Sequence, residues 1–296
     1  MSRLIVNADD FGLTAGINRA IAELHAAGAV TSATLMASAS ATAEAIEIAR
    51  STPTLGVGCH IVLVDGTPVL PPDRIPSLVD PRTGQFRPTL SAFLMRLLTG
   101  NIDPSEIEAE SAAQIASLQN RGLELTHIDT HKHTHMFPAV LRAVLRAARA
   151  AGINKIRNPF EPSWAVRATA RASLTRVAEL TILRRLRPAC LNLIADAGFT
   201  TTDGTVAMAA TGVLDAAMLA ALVNRLAPGT WELVTHPGYN DTDLDRVRTR
   251  LRASRDQERE ALAVLSQFPS LELVSFRELN TSRGNSPMRN QMGESQ

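Results

Sequence analysis

The segment from His127 to His135 concentrates chemically active side chains, with four of the chain's seven histidines and one aspartate. All five fall on odd positions: His127, Asp129, His131, His133 and His135. Side chains on a strand alternate between faces, so the carboxylate and the first histidines share one face if the segment begins as a strand. Imidazoles this dense beside a carboxylate favour a metal or proton-transfer site over a solvated polar strand end, which is the alternative.

Polar groups also stand at or near the ends of other short apolar runs. Two adjacent carboxylates, Asp9 and Asp10, are costly there unless they bind a cation or accept hydrogen bonds, whereas a helix or turn cap would need only one. A lone histidine in an apolar run, such as His60, is by itself more often a core residue than a ligand. The candidates outside the histidine segment are Asp9, Asp10, His60, Arg157 and His236.

Short apolar runs alternate with helical patterns about seven times, which favours an α/β fold. We predict a distorted (β/α) TIM-like barrel of about seven parallel strands, with an open doubly wound sheet as the alternative. The expected strands are 3–8, 30–37, 55–63, the start of the histidine segment, 153–156, 191–195, 207–210, 231–234 and 271–275. The expected helices are 14–27, 41–50, 90–98, 104–120, 138–152, 164–186, 214–226 and 244–265.

The barrel prediction explains how residues far apart in sequence could meet. The carboxyl ends of all strands in a parallel barrel face one side, where active sites lie. We expect residues 1–280 to form one barrel domain and 281–296 a disordered tail. The segment 65–88, rich in Pro, Gly and Asp, predicts a lid or binding loop. The charged helix 244–265 is expected to be exposed.

Composition excludes several classes of protein. A net charge of +1 argues against a nucleic-acid partner. The two cysteines exclude a disulfide scaffold and a thiolate zinc cluster, and they fit a reducing compartment. Without a secretory signal or an apolar run of bilayer length, we expect a cytoplasmic protein. The basic region after Trp164 is most simply a solvated face; peripheral contact at the inner membrane face is the alternative.

The collected groups predict a metal-assisted hydrolase. One carboxylate with two imidazoles makes a three-ligand site that keeps an open position, which either magnesium or zinc could use. Water at a bound cation loses a proton more easily. A second carboxylate could act as general base, and a remote histidine could protonate the leaving group. The residues alone do not decide which histidines are ligands.

Three blocks of the sequence resemble a known family. The blocks 7–12 (Asn-Ala-Asp-Asp-Phe-Gly), 58–60 (Gly-Cys-His) and 127–138 are similar to the signature blocks of the YdjC-like carbohydrate deacetylases, and the resemblance extends over about residues 3–280. Blocks 64–72 and 157–162 most resemble the hopanoid-biosynthesis-associated branch (HpnK). That resemblance implies removal of the acetyl group from an amino sugar, in this branch an N-acetylglucosaminyl hopanoid.

The resemblance also implies one divalent metal ion, magnesium or zinc, and the residues that hold it. The implied ligands are Asp10, His60 and His131, and Asp129 would orient a ligand imidazole. His133 and His135 are left as contacts to the sugar or as supports of the ligands. Lys132 stands where many relatives carry a smaller or uncharged residue, and the resemblance gives it no role.

The implied catalytic groups are a base, its partner and an acid. Asp9 matches the general base, Arg157 the arginine that keeps the base ionised, and His236 the general acid. Relatives suggest a homodimer, and the substrate would be an amino sugar, with a lipid-linked one as the narrower expectation. The alternatives are a chitooligosaccharide deacetylase, a different metal-dependent barrel hydrolase with a second metal near His133 and His135, and a non-catalytic sugar- or lipid-binding protein.

Overall fold

A computed structural model describes residues 2–169 and 174–279. Within these residues, seven strands alternate with ten α-helices. The strands are β1 (Ser2–Phe11), β2 (Ser32–Leu35), β3 (Gly56–Ile61), β4 (Ile128–Thr130), β5 (Gly204–Val206), β6 (Gly229–Thr235) and β7 (Glu272–Leu273). The helices are α1 (Ala15–Ala26), α2 (Thr42–Ser51), α3 (Leu90–Leu98), α4 (Pro104–Gln119), α5 (Pro138–Ala150), α6 (Ser163–Ala168), α7 (Leu174–Leu183), α8 (Arg187–Asp196), α9 (Ala216–Val223) and α10 (Ala253–Ala261).

All the strand pairings are parallel, and the sheet order is β4-β3-β2-β1-β6-β5, with β7 beside the start of β1. The two outer strands approach each other through isolated parallel bridges, from Ile128 to Ile156 and from Lys155 to Thr200. The sheet therefore curls into a distorted barrel, which confirms the predicted fold class. The open doubly wound alternative is excluded.

The central strand β1 forms because its apolar run is buried on both sides. Leu4, Ile5 and Val6 are all fully covered, as expected for a strand of a parallel sheet packed between other layers. The Thr14 hydroxyl accepts a hydrogen bond from the amide of Ile17 at the start of α1, as is usual for a threonine at a helix N-cap.

Some predicted elements were wrong or misplaced. Residues 191–195, predicted as a strand, lie in α8, where the burial of Cys190 and Ile194 follows helical spacing. The strand predicted at 207–210 ends earlier, as β5, because Ala207 adopts a left-handed φ of 73°. Residues 153–156 form only isolated bridges. A short apolar run carries too little periodicity to separate strand from buried helix.

Two predicted helices are divided. Residues 244–265 contain a 3₁₀ turn (Leu244–Arg246), then α10 and a second 3₁₀ segment (Leu262–Gln267). The region 164–186 contains α6 and α7, with residues 170–173 outside the described part. The tail predicted at 281–296 also lies outside the described residues. Among the described helices, none is both long and apolar enough to cross a membrane.

The segment 65–88 is anchored to helix α4 by two acids, one of them the buried Glu110. Both carboxylate oxygens of Glu110 accept backbone hydrogen bonds, from Val69 at 2.8 Å and from Leu70 at 3.0 Å. One turn earlier, Glu106 accepts hydrogen bonds from the amide and the hydroxyl of Ser77. These contacts fix the segment at two points along its length.

A close packing contact explains the glycine two residues before His60. A Cβ atom built at Gly58 would lie 2.6–2.8 Å from three atoms of the His127 ring. That ring stacks on Phe276 with a centroid distance of 3.8 Å, and its Nε2 lies 3.2 Å from Asn7 Oδ1. His127 is therefore a packed interior residue beneath the polar strand ends, and it leaves no room for a side chain on β3.

We expect Gly58→Ala to lower the free energy of unfolding by about 1–3 kcal/mol, because the added methyl group forces the stacked ring out of place. Urea unfolding followed by circular dichroism measures the change. In a His127→Ala background the same substitution should cost less, since contacting residues are not additive. An equal cost in both backgrounds would contradict this explanation.

Candidate metal centre

A bulge in β1 allows both adjacent aspartates to reach the site. The register against β2 shifts between Ala8 and Phe11, and Asp10 lies in the left-handed region with φ of 65°. Successive residues of a regular strand point to opposite faces. The bulge and the left-handed residue break that alternation, so both carboxylates are buried at the carboxyl end of the barrel.

Three side chains converge in a metal-like arrangement. Asp10 Oδ1 lies 3.6 Å from His60 Nε2 and 3.4 Å from His131 Nδ1, and the two nitrogens are 3.2 Å apart. Ligands of one zinc ion at about 2.0–2.2 Å are separated by about this much. Among the described residues, no hydrogen-bond partner reaches the buried Asp10 Oδ1. The donor set and this oxygen therefore fit a divalent cation.

The ring of His60 is oriented by a second carboxylate. His60 Nδ1 lies 2.7 Å from Asp129 Oδ1, an arrangement that directs Nε2 towards Asp10 and His131. Ligand histidines commonly make this kind of contact through their other nitrogen. Burial opposes a charge on this ring, but Asp129 raises the pKa of His60 to about 9. A cation that binds at His60 Nε2 therefore competes with a proton there.

Arg157 lies at the centre of the buried charges. It is fully buried and donates two hydrogen bonds to Asp9, at 2.8 and 2.6 Å. It also contacts Asp129 at 2.5 Å and Glu232 at 2.7 Å. Burial alone would raise the pKa of Asp9, but the guanidinium holds it far below its ordinary range. Asp9 is therefore ionised at neutral pH.

His236 follows β6 and faces Asp9. Its Nε2 lies 3.8 Å from Asp9 Oδ2, and its Nδ1 lies 3.7 Å from Glu258 Oε2. Burial opposes its protonation, but Glu258, with the two aspartates of β1, raises the pKa of His236 above its ordinary value. The ring is thus suited to carry a proton near neutral pH.

Sequence reasoning missed three buried ionisable side chains. The helix expected to be exposed presents Arg255 and Glu258 inward, both almost fully buried. Glu232 lies within β6, and burial raises its pKa to about 8 despite the contact with Arg157. Two signals were available in the sequence: an acid inside an apolar strand, and an Arg–Glu pair with the spacing that places side chains on one helical face.

The remaining histidines leave the strand face. β4 ends at Thr130, and Lys132 and His133 both adopt left-handed backbone angles, with φ of 55° and 52°. The alternation expected over the odd positions therefore ends at His131. His135 is fully buried and its Nδ1 lies 2.7 Å from the Thr130 hydroxyl, which fits support of the site better than contact with a sugar. Lys132 pairs with Asp65 at 2.7 Å.

Together these features define a parallel barrel whose strand ends hold a buried carboxylate–imidazole cluster able to bind a divalent cation. The model of the YdjC-like protein family matches residues 3–267, so the chain belongs to the YdjC-like family. This confirms the family resemblance read from the three sequence blocks.

Curated relatives agree with this assignment. A carbohydrate deacetylase of Thermoanaerobacter pseudethanolicus is 30% identical over 262 residues, which cover 88% of this chain and 91% of the relative. One from Brevibacillus brevis is 45% identical over 131 residues, or 44% of this chain. That match spans only 49% of the Brevibacillus protein, and another, to a Halalkalibacterium halodurans deacetylase, spans 53%.

Solved structures support the fold. A protein from Enterococcus faecalis V583, described as a cellobiose-phosphate cleavage protein, has a TM-score of 0.76 and 28% identity, with 95% of this chain and 99% of that chain covered. A lactam utilization protein from Thermus thermophilus has a TM-score of 0.53 at 16% identity, covering 92% of this chain and 99% of that one. The second likeness concerns the fold alone.

We expect the protein to bind one divalent cation, and His131→Ala to weaken that binding by at least about 10-fold because it removes one of three ligands. Isothermal titration with zinc or manganese measures the affinity and stoichiometry. His25→Ala is the control, since His25 pairs with Val30 and Thr54 instead. Equal affinities in all three proteins would contradict the site.

We expect His135→Gln to flatten the dependence of stability on pH. Burial and then the charge of Arg157 lower the pKa of His135 to about 3, so the folded protein keeps the ring neutral while the unfolded chain protonates it below about 6.5. The stability contribution is full above about pH 6.5 and falls by up to about 1.4 kcal/mol per unit as the pH drops towards 3. Urea unfolding at pH 7 and pH 5 measures the free energy of unfolding of the wild type and the variant. If both proteins lose the same stability between these two pH values, His135 is not buried as a neutral ring.

Proposed function

We propose that this protein is a metal-dependent deacetylase that hydrolyses the N-acetyl group of an amino sugar. The observation that carries the proposal is the position of Asp9, which precedes the candidate ligand Asp10 in the chain and lies 3.8 Å from His236 Nε2. An ionised carboxylate and a histidine next to a three-ligand site supply a base and an acid for one amide bond. The names of the curated relatives support the same chemistry.

The candidate ligands for the cation are Asp10, His60 and His131. A divalent ion held there, magnesium or zinc, would polarise the acetyl carbonyl and make water more acidic. The chain's own part is to aim one carboxylate oxygen and two ring nitrogens at a common point, and Asp129 keeps the His60 ring turned the right way.

Asp9 accepts the proton of the attacking water. Arg157 keeps this carboxylate ionised and holds both its oxygens in place. The same contact makes Asp9 a weak base, so its proton acceptance depends on water that is already acidified. Asn7 donates a further hydrogen bond at 2.9 Å, which fixes the plane of the carboxylate.

His236 donates a proton to the departing amine. The amine nitrogen is a poor leaving group until it is protonated, and a histidine with a raised pKa carries the proton near neutral pH. The ring is mostly buried, with 8% of its residue exposed. The amide nitrogen would therefore have to enter the site to reach it.

For the substrate itself, the resemblance of blocks 64–72 and 157–162 to the hopanoid-biosynthesis-associated branch favours a sugar linked to a hopanoid lipid. Exposed apolar side chains offer contacts for such a lipid or for a membrane surface; they are Met95, Leu98 and Ile182.

A chitooligosaccharide is the alternative substrate. Acetate release from an N-acetylglucosaminyl hopanoid and from diacetylchitobiose, each with and without EDTA, distinguishes the two. Acetate from neither substrate would overturn the proposed function.

We expect Asp9→Asn to keep the bound cation and to lose at least about 100-fold in kcat, because the amide cannot accept a proton. Elemental analysis and acetate release measure the two properties on the same sample. Asp103→Asn is the control, since Asp103 only caps α4. Loss of the cation would instead mean that Asp9 is a ligand and that the two aspartates have exchanged roles.

A further inference from the structure

Helix α10 brings two opposite charges into the interior close to the candidate site. Arg255 and Glu258 are three residues apart and almost fully buried, so they share the inward face of the helix. Buried charges are costly unless each is paired and hydrogen-bonded. Each of these two has its partners in a different part of the site.

Arg255 engages the candidate metal carboxylate. Its Nη2 donates to Asp10 Oδ2 at 2.5 Å, and its Nη1 donates to the carbonyl oxygen of His236 at 3.4 Å. Because Oδ2 is occupied, the other oxygen of Asp10 is the one that faces His60 and His131. The guanidinium thus orients the carboxylate from the side opposite the candidate cation.

Glu258 engages the histidine instead. Its Oε2 accepts the backbone amide of His236 at 2.6 Å, and its Oε1 accepts the amide of Gly212 at 3.3 Å. With both oxygens held by backbone amides, the carboxylate is fixed, and Oε2 lies 3.7 Å from His236 Nδ1. The Nε2 edge of the same ring faces Asp9.

We propose that Glu258 is a positioning residue that holds the His236 imidazole with Nδ1 towards α10 and Nε2 towards the reacting amide. Arg255 acts separately, on the cation ligand Asp10. The inference rests on the proposed function, because it assigns Glu258 a part in proton donation by His236. It predicts that these two charges of α10 have different functions: Arg255 supports cation binding, and Glu258 supports proton donation by His236.

The surroundings of His236 show why Glu258 is the group to test. Among the described residues, the carboxylates that act on the ring come from two elements: Asp9 and Asp10 on β1, and Glu258 on α10. Arg255, also on α10, contacts the carbonyl oxygen of His236. Asp9 lies on the Nε2 side, and the two aspartates have Arg157 and Arg255 as partners. Glu258 is the carboxylate on the Nδ1 side, where its charge favours a proton.

The experiment compares Glu258→Gln, Arg255→Lys and a matched control, Glu260→Gln, whose side chain is exposed on the same helix. Three properties are measured on each purified full chain: zinc affinity by titration, kcat and KM for acetate release from diacetylchitobiose or the hopanoid sugar across pH 5–9, and histidine ¹⁵N chemical shifts by NMR. The His236 signals are assigned by their loss in His236→Gln.

We expect Glu258→Gln to bind zinc like the wild type, to keep KM, and to lose about 10- to 100-fold in kcat. As the pH is raised, its activity should begin to fall at a lower pH than the activity of the wild type, because the ring loses its proton more readily without the charge of Glu258. The ¹⁵N shifts of His236 should show the same earlier deprotonation. Arg255→Lys should instead weaken zinc binding, and Glu260→Gln should match the wild type.

A Glu258→Gln protein with unchanged kcat and unchanged His236 shifts would overturn the inference. So would a loss of zinc affinity equal to that of Arg255→Lys, because it would show a common structural effect. If the wild type releases acetate from neither sugar, the proposed function fails. The NMR comparison then still decides whether Glu258 sets the protonation of His236.

Discussion

The buried guanidinium of Arg157 is the interaction on which the rest of the site depends. Three carboxylates approach it, from β1, β4 and β6: Asp9, Asp129 and Glu232. Without a central cation, these acids would repel one another in a medium that screens poorly, and some would take up protons. Arg157 allows carboxyl groups from three strands of the barrel to lie at one place.

The acids around Arg157 differ in their pKa because their surroundings differ. Asp9 has Arg157 on both oxygens and stays ionised, whereas one oxygen of Glu232 has no hydrogen-bond partner among the described residues, and burial raises the pKa of that side chain to about 8. Asp129 spans the guanidinium and the ring of His60. The guanidinium of Arg157 thus links the proposed base, Asp9, to Asp129, which orients the proposed metal ligand His60.

The sequence allowed the fold class and the convergence of the polar strand ends to be predicted, because polar groups at the ends of short apolar runs meet at one edge of a parallel barrel. The choice of Asp10, His60 and His131 among them came from the family resemblance, and the structure brings these three together. It did not allow the β1 bulge to be foreseen, since aspartate tolerates left-handed backbone angles, as at Asp10, but adopts them at only a minority of positions. The charges on α10 were assigned to solvent because surface helices usually carry such residues. Their burial depends on Asp10 and His236, which are distant in sequence. The roles of the site residues stay predictions until the variants are measured.

The anchored segment 65–88 has a consequence for how substrates are selected. A loop that closes over a ligand draws its selectivity partly from the binding energy that drives closure. Here Glu106 and Glu110 hold the segment by its backbone, and Lys132 joins Asp65 to the turn that follows His131. The segment is thus held in place before any ligand binds. Relatives with different substrates should therefore differ in the side chains and length of this segment, while the carboxylates that anchor it should be kept.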